Sequence, residues 1–418
     1  MENTVWKPPG EPGLWGDFLD YLREVAERGR VHPTTYEYLV HPERVTAVAL
    51  PVKMDDHRVR TFRGWRVVHN TARGPSIGGV RYDPALNLGD VAGLAAWTTL
   101  KSAVLGLPFG GAAGGIPVDR GRLSRAELER LSRRYMYGLV NLTGPEVDVI
   151  APELGTDAQV MGWYLDTYSQ AKGFAEPAVV VGKPPELAGD QDRNRALAEG
   201  LVHVLGRLAG ELAGRRVAVQ GFGQVGRAVA AALHAAGARV VAVSMDTGGV
   251  YDEAGLDVPA LIAHFARHEG FLGFPAGGIT NDELLGLAVD VLVLAAYQHV
   301  VTAENAATIR ARWVVEAAHV PVTFEADRML SDAGVQVIPH VLATGGVLVS
   351  DYLEWVQTLN QHFWKKDRVN RQIRAVLDRA LAAVEAEAEK NGNHLRSAAH
   401  VVAIRRIDEA TRLRGVYP

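Results

Sequence analysis

Apolar positions recur at helical spacing at Trp15, Phe18, Leu19, Leu22 and Val25, which predicts a first helix, followed by a loop at His32-Pro33. From Arg44 to His69 the pattern changes, and β-branched residues crowd 45–52 and 59–68, which predicts two strands. Residues 70–90, with Gly74-Pro75 and Gly78-Gly79, read as a loop. Asn87 stands three residues ahead of Asp90 as a helix cap, and Val91, Leu94, Ala95, Thr98 and Lys101 follow on one face. Residues 108–117, Pro-Phe-Gly-Gly-Ala-Ala-Gly-Gly-Ile-Pro, read as a tight loop. Its bare backbone suits close approach to a small molecule, and a plain surface loop is the competing reading. Ser124-Arg125-Ala126-Glu127 has the form of a capping box ahead of Leu128, Leu131, Tyr135 and Leu139.

From about Asp190 helix and strand alternate. A helix through Leu197, Leu201 and Leu205 leads to an apolar strand at 216–220, and Gly221-Phe222-Gly223-Gln224-Val225-Gly226 then opens an alanine-rich helix. A strand at 239–244 and apolar runs at 289–294, 313–317 and 335–338 predict further parallel strands. Glycines spaced G-x-G-x-x-G carry weight when they lie between a strand and a helix, as here. They admit a pyrophosphate to the helix N-terminus and let helix and strand pack closely. The acid that binds a ribose normally ends the second strand, but this strand ends Ser244-Met245-Asp246, one residue late. Alternation of side chains leaves the aim of Asp246 open, and so leaves two readings: an occupied cofactor site or a retained scaffold. Beyond Gly345-Gly346 the chain reads as helical at 352–364, in a long amphipathic helix ending near Asn391-Gly392, and in a last helix stopping at Gly415.

A length of 418 residues predicts two or three domains, and 48% hydrophobic with 22% charged residues marks an ordinary globular chain. The net charge of −4, without a basic face, gives no sign of a nucleic-acid partner. The absence of cysteine excludes disulfides and thiolate chemistry and suits a reducing cytoplasm. No signal peptide and no apolar run long enough for a membrane span are visible. The 14 histidines are scattered without metal-ligand spacing, so no metal site is predicted. The charge run 385–390 reads as a solvated helix face, and Tyr352, Trp355, Phe363 and Trp364 as core or subunit contact.

The segment from about Val45 to Asn360 resembles the glutamate dehydrogenase family, within the Glu/Leu/Phe/Val dehydrogenases. The likeness rests on His69-Asn70, Gly74-Pro75, Gly78-Gly79-Val80-Arg81, 94–101, 107–116, Ala151-Pro152, Gly155-Thr156, Gly182-Lys183-Pro184, 220–226, Glu304-Asn305-Ala306, Gly345-Gly346-Val347 and Glu354-Trp355-Val356-Gln357. The resemblance implies an α/β protein of two domains meeting at a cleft. An α/β substrate and oligomerisation domain, 1–188 plus 346–418, would flank a Rossmann-type doubly wound nucleotide-binding domain, 189–345. Hexamers, an NAD or NADP cofactor and oxidative deamination of an amino acid to a 2-oxoacid and ammonia are implied as well.

That chemistry uses a lysine of lowered pKa to activate water and an aspartate to shuttle protons. The family's lysine lies in Gly-Gly-Ala-Lys-Gly-Gly, where this sequence has Ala113, and its aspartate follows Ala-Pro, where this sequence has Glu153. Ile77 replaces the lysine that grips the substrate's distal carboxylate, while Lys101, for the α-carboxylate, and Ser350, at the base of the pocket, remain. On the nucleotide side Val181 precedes Gly182-Lys183-Pro184 in place of threonine. Glu199 replaces a threonine facing the nicotinamide, where a carboxylate finds few donors and repels phosphates. Leu294-Ala295-Ala296 and Ala318-His319-Val320-Pro321 stand for Pro-Ala-Ala and Ala-Asn-Gly-Pro; His340 replaces an aspartate and Thr344 an asparagine. Within the family the chain resembles the catalytically inert regulatory subunits of thermophilic bacteria. That resemblance implies a hetero-oligomer with a catalytic homologue and an amino-acid effector, leucine first. Two alternatives stand beside it: an active NAD(P)-dependent dehydrogenase for another amino acid, and a stand-alone amino-acid sensor.

Overall fold

The computed structural model describes residues 5–27, 31–189, 193–392 and 394–415. The start expected near Asp190 for the second alternating region falls outside these residues. The chain forms two compact units, one of Met1–Asp192, Leu348–Val369 and His400–Pro418, the other of Arg193–Val347 and Asn370–Ala399. Residues 370–399 thus group with the second unit, whereas the resemblance placed all of 346–418 with the first.

In the first unit α1 (Leu14–Glu27) buries Trp15, Phe18, Tyr21, Leu22 and Val25. A short helix, α2 (Pro33–Leu39), stands where a loop was expected, because the His32 side chain caps it and proline suits its first turn. The strands β1 (Arg44–Lys53), β2 (Val59–Asn70) and β3 (Ser76–Tyr82) precede α3 (Leu88–Val104), whose Asn87/Asp90 capping box is formed. There follow β4 (Gly110–Ile116), α4 (Arg125–Leu139) with its Ser124/Glu127 box, β5 (Asp148–Pro152) and α5 (Ala158–Lys172). The five strands lie in the order β1-β2-β4-β3-β5.

Two stretches expected as loops are therefore strands in the middle of this sheet, and β4 is buried along its length. Their glycines serve packing, not turning. A Cβ on Gly78 would stand 1.6 Å from Ala112 O, one on Gly111 2.2 Å from Thr99 N, and one on Gly114 2.2 Å from Tyr135 Oη. Strand alternation sorts the residues onto two faces. Gly111 meets α3 on one, and on the other Val80, Ile116 and Ile150 join Tyr135 of α4 and Tyr164 of α5 in the core.

Gly114 also makes room for Arg66 on β2, whose Cδ would lie 3.2 Å from a Cβ there. The Arg66 guanidinium reaches Asp148 on β5 through Nε (2.8 Å) and Nη2 (2.6 Å) and donates to the carbonyls of Gly78, Gly79 and Val149. Both charged side chains are buried. The pair bonds β2, β3 and β5 together across β4, and every nitrogen of the guanidinium has an acceptor. Without that, the desolvation cost would exceed the Coulomb attraction.

The second unit begins with α6 (Arg193–Ala209), β6 (Arg216–Gln220), α7 (Gln224–Ala235), β7 (Arg239–Met245), β8 (Gly248–Tyr251), α8 (Val258–His268), β9 (Gly277–Ile279) and α9 (Asn281–Leu285). It continues through β10 (Val291–Leu294), β11 (Trp313–Glu316), α10 (Phe324–Asp332), β12 (Gln336–Ile338) and α11 (His340–Ala343). The sheet order is β12-β11-β10-β6-β7-β8-β9, parallel from β12 to β7, with β8 and β9 added antiparallel. Those two short, glycine-bearing strands had no apolar run to announce them. The helices α12 (Gly345–Leu359), α13 (Lys366–Ala388) and α14 (Leu395–Arg414) end the chain; α12 stops short of the expected 364. Gly346 lies against α6, since a Cβ on Gly200 would stand 2.9 Å from its Cα.

Asp148→Asn leaves Arg66 charged in a buried site without its counter-ion and is expected to cost ~3–5 kcal/mol in urea unfolding of the first unit. His69 is fully buried, and desolvation lowers its pKa from 6.5 to about 4. A depressed folded pKa means that the unfolded chain takes up the proton first. The stability contribution is complete above pH 6.5 and declines as pH falls toward 4, by up to about 3 kcal/mol. Replacing His69 with Gln should remove that part of the pH slope in unfolding measured between pH 4 and 7.

Candidate active site and nucleotide turn

Ile77 pairs with Gly111 and Gly79 with Ala151 across β4, β3 and β5, so Ile77, Gly79, Gly111, Ala113 and Ala151 share the face that α3 covers. Ile77 and Ala113 are buried there, and Ala113 also pairs with Val67 of β2. Neither side chain can accept, donate or hold a proton. Lys101 is buried in the last turn of α3, and Ser350 is buried on α12. The helix α12 is brought to the chain entering β4 by Phe109, whose ring meets Trp355 at 5.0 Å and Tyr352 at 5.9 Å. Phe363 and Trp364 lie beyond the end of that helix, Phe363 half exposed and Trp364 under the Arg368 guanidinium at 4.3 Å.

Glu153 immediately follows β5, and its carboxylate is held in a two-pronged pair with Arg81 of β3, Nε to Oε2 at 2.7 Å and Nη2 to Oε1 at 2.8 Å. The Leu154 amide donates to Oε2 as well, at 2.6 Å. The stem crosses Gly79, where an added Cβ would stand 2.6 Å from Glu153 Cβ. A carboxylate that accepts three bonds from its own fold is an anchor for the 153–156 turn. Arg81 was visible in the motif Gly78-Gly79-Val80-Arg81, but nothing local in the sequence named its partner.

Two other motif segments meet in the same unit. Lys183 Nζ donates to Glu354 Oε1 at 2.7 Å and to Val180 O at 3.1 Å, and the Gly182 amide donates to both Glu354 oxygens at 3.1 Å. Desolvation raises the Glu354 pKa against the lowering effect of Lys183. This buried pair ties the 182–183 segment to α12, a structural role for residues that read as part of a binding motif.

In the second unit the glycine turn lies between β6 and α7. Gly221 has φ +91°, and a Cβ there would meet Ala295 at 2.6 Å; one on Gly226 would meet Gly221 O at 1.7 Å. A Cβ on Gly223 meets nothing within 4 Å, so this side of the turn is open backbone at a helix N-terminus. Phe222 is buried and packs edge-on against Phe265, over which Arg227 stacks at 4.9 Å. Gln224 opens α7 with its Oε1 accepting from Asn194 Nδ2 at 3.2 Å, and Val225 follows. Asp246 is exposed in the turn from β7 to β8. Glu199 accepts a bond from Arg195 one helical turn earlier, so the scarcity of donors expected for it does not hold. The turn fits a pyrophosphate, whereas the segments after β11 and β12 carry His319, Val320, His340 and Thr344. Among the described residues no group of histidines and carboxylates suits a metal, and no helix is long and apolar enough to cross a membrane.

The dimerisation-domain pattern of Glu/Leu/Phe/Val dehydrogenases matches residues 42–170, and the Glutamate/Leucine/Phenylalanine/Valine dehydrogenase pattern matches residues 189–415. The chain belongs to this family. It is similar to a glutamate dehydrogenase of Thermotoga maritima, 45% identical over 98% of this chain and 100% of that one. Among solved structures it is similar to the hetero-hexameric glutamate dehydrogenase from Thermus thermophilus in its leucine-bound form, at 47% identity and TM-score 0.96, covering 99% of this chain and 100% of that one. Glutamate dehydrogenase from Peptoniphilus asaccharolyticus matches at 35% identity and TM-score 0.82, over 98% and 100% of the two chains. Family members use NAD or NADP.

Glu153→Ala removes the carboxylate that pairs with the buried Arg81 guanidinium and is expected to cost about 2–4 kcal/mol in chemical unfolding. Glu153→Gln should cost less, because the amide oxygen still accepts from Arg81.

Proposed function

We propose that this chain is a catalytically inert, regulatory member of its family, which joins a catalytic glutamate dehydrogenase homologue in a hetero-oligomer, a hexamer by family pattern. The partner would oxidise L-glutamate to 2-oxoglutarate and ammonia, and this chain would make that activity responsive to an amino acid, leucine first. The observation that carries the reading is the buried face of β3 and β4, where Ala113 and Ile77 present only hydrocarbon. The carboxylate beside it, Glu153, is committed to Arg81.

Assembly is supported by β1, an edge strand whose outward positions Val45, Ala47, Ala49 and Pro51 are apolar and exposed. The partnership and the effector draw support from the similarity to a hetero-hexameric enzyme solved with leucine. In that role the domain spanning 1–188 with the C-terminal helices would carry assembly, and 189–345 would serve as scaffold. Buried Lys101 and Ile77 favour a second reading, in which an apolar amino acid is held by its α-carboxylate at Lys101.

Loss of acid–base help from a lysine costs roughly two to four orders of magnitude in rate. The purified chain alone should therefore reduce neither NAD nor NADP with glutamate or with apolar amino acids, measured by absorbance. Turnover comparable to that of an active relative would overturn the proposal and favour a dehydrogenase of altered substrate. Ala113→Lys by itself should leave the chain inactive, because Ile77 still lacks a charge and Glu153 stays bound to Arg81; substantial rescue would show that the lysine was the one missing part.

A further inference from the structure

An open α/β sheet takes its ligand outside the carboxyl ends of its strands, each half of the sheet holding one mononucleotide of a dinucleotide. In the second unit the order turns at β6 and β10, so β6 and β7 form one half and β10, β11 and β12 the other. The first half offers the open glycine turn at Gly223. The second half differs in kind. Val320, four residues past the end of β11, has φ +44° and is fully buried. A β-branched side chain rarely adopts that left-handed conformation, and it persists only where the surroundings fix it.

Here the surroundings do fix it. His299 N donates to Val320 O (3.0 Å), Val301 N to Pro321 O (2.9 Å) and Thr323 N to Val301 O (3.0 Å), so the segment is tied at the strained residue and directly after it. The neighbouring His319 ring packs edge-on to His340 at 5.6 Å. His340, just past β12, is itself fixed: its amide donates to Glu316 Oε2 at 2.8 Å, its Nδ1 lies 3.3 Å from the same oxygen, and its carbonyl accepts from Thr344 Oγ1 at 2.7 Å. Side chains of the chain itself are thus braced against one another along the rim of this half.

We infer that His319 and Val320 close the second half of the crevice, so that the unit discriminates against the nicotinamide half of a dinucleotide while leaving the glycine turn open. The inference deepens the proposed non-catalytic role and rests on it. It concerns binding, however, so its test does not depend on turnover.

Calorimetry of the full-length chain with NADH and with ADP-ribose measures what the nicotinamide end contributes. The wild-type chain should bind NADH no more tightly than ADP-ribose, and His319→Ala/Val320→Gly should bind NADH at least about tenfold more tightly than the wild type does. If the wild type binds neither ligand, a gain of NADH binding in the double variant supports the inference. A wild-type preference for NADH of about tenfold, or a folded double variant no better than wild type, overturns it. Val320→Gly relieves left-handed strain, which offsets part of the cost of the lost buried side chain, and it serves as the second variant if the double substitution fails to fold. An NADH affinity gained in Val320→Gly supports the inference, and an unchanged one overturns it. Glutamate oxidation by the isolated wild-type chain would instead strike the non-catalytic reading itself.

Discussion

A buried guanidinium sets the terms for the first unit. Arg66 crosses from β2 to Asp148 on β5, and the strands between them must lie flat enough for it to pass. That requirement explains part of the glycine content of β3 and β4: a side chain at Gly114 would press on Arg66 and strike Tyr135, and one at Gly78 would enter the backbone of β4. The same bare strands let α3 settle onto the opposite face at Gly111. Once both faces are occupied, few positions remain where a side chain projects from the middle of the sheet. Ile77 and Ala113 are two of them.

The chemistry available at this face follows from those two residues. In a fold so closely packed, a methyl at 113 is not compensated by its strand neighbours, because Val67, Ile77, Gly111 and Gly114 carry no group that ionises. Glu153 cannot take over as a mobile base while it braces Arg81 and the Leu154 amide. The family's architecture is therefore preserved by the interactions that packing needs, Arg66–Asp148, Lys183–Glu354 and the glycine contacts. The positions that would carry a proton or grip a second carboxylate hold hydrocarbon.

Local signals in the sequence are legible where the physics is local. The capping boxes at Asn87/Asp90 and Ser124/Glu127 form as their spacing implies, and the apolar runs at 216–220, 289–294 and 313–317 contain the buried parallel strands β6, β10 and β11. The loops expected at 70–90 and 108–117 failed for a non-local reason. Glycine favours turns by its own freedom, but here it answers to Thr99, Tyr135 and Ala112, which lie far away in sequence or across the sheet. Alignment of motifs could point to Ala113, Ile77 and Glu153, but not to Arg81 as the partner that immobilises Glu153. The same motifs set Val320 where the family pattern has glycine, and the left-handed backbone there shows why glycine suits the position.

The central claim is that this chain lends control to a catalytic homologue without contributing chemistry of its own. The most direct test is to co-purify the two chains and titrate leucine while following glutamate-dependent NAD(P) reduction, beside the catalytic chain alone. The account predicts a stable mixed oligomer whose leucine response requires this chain. An unchanged leucine response in its absence, or failure of the two chains to associate, would contradict it.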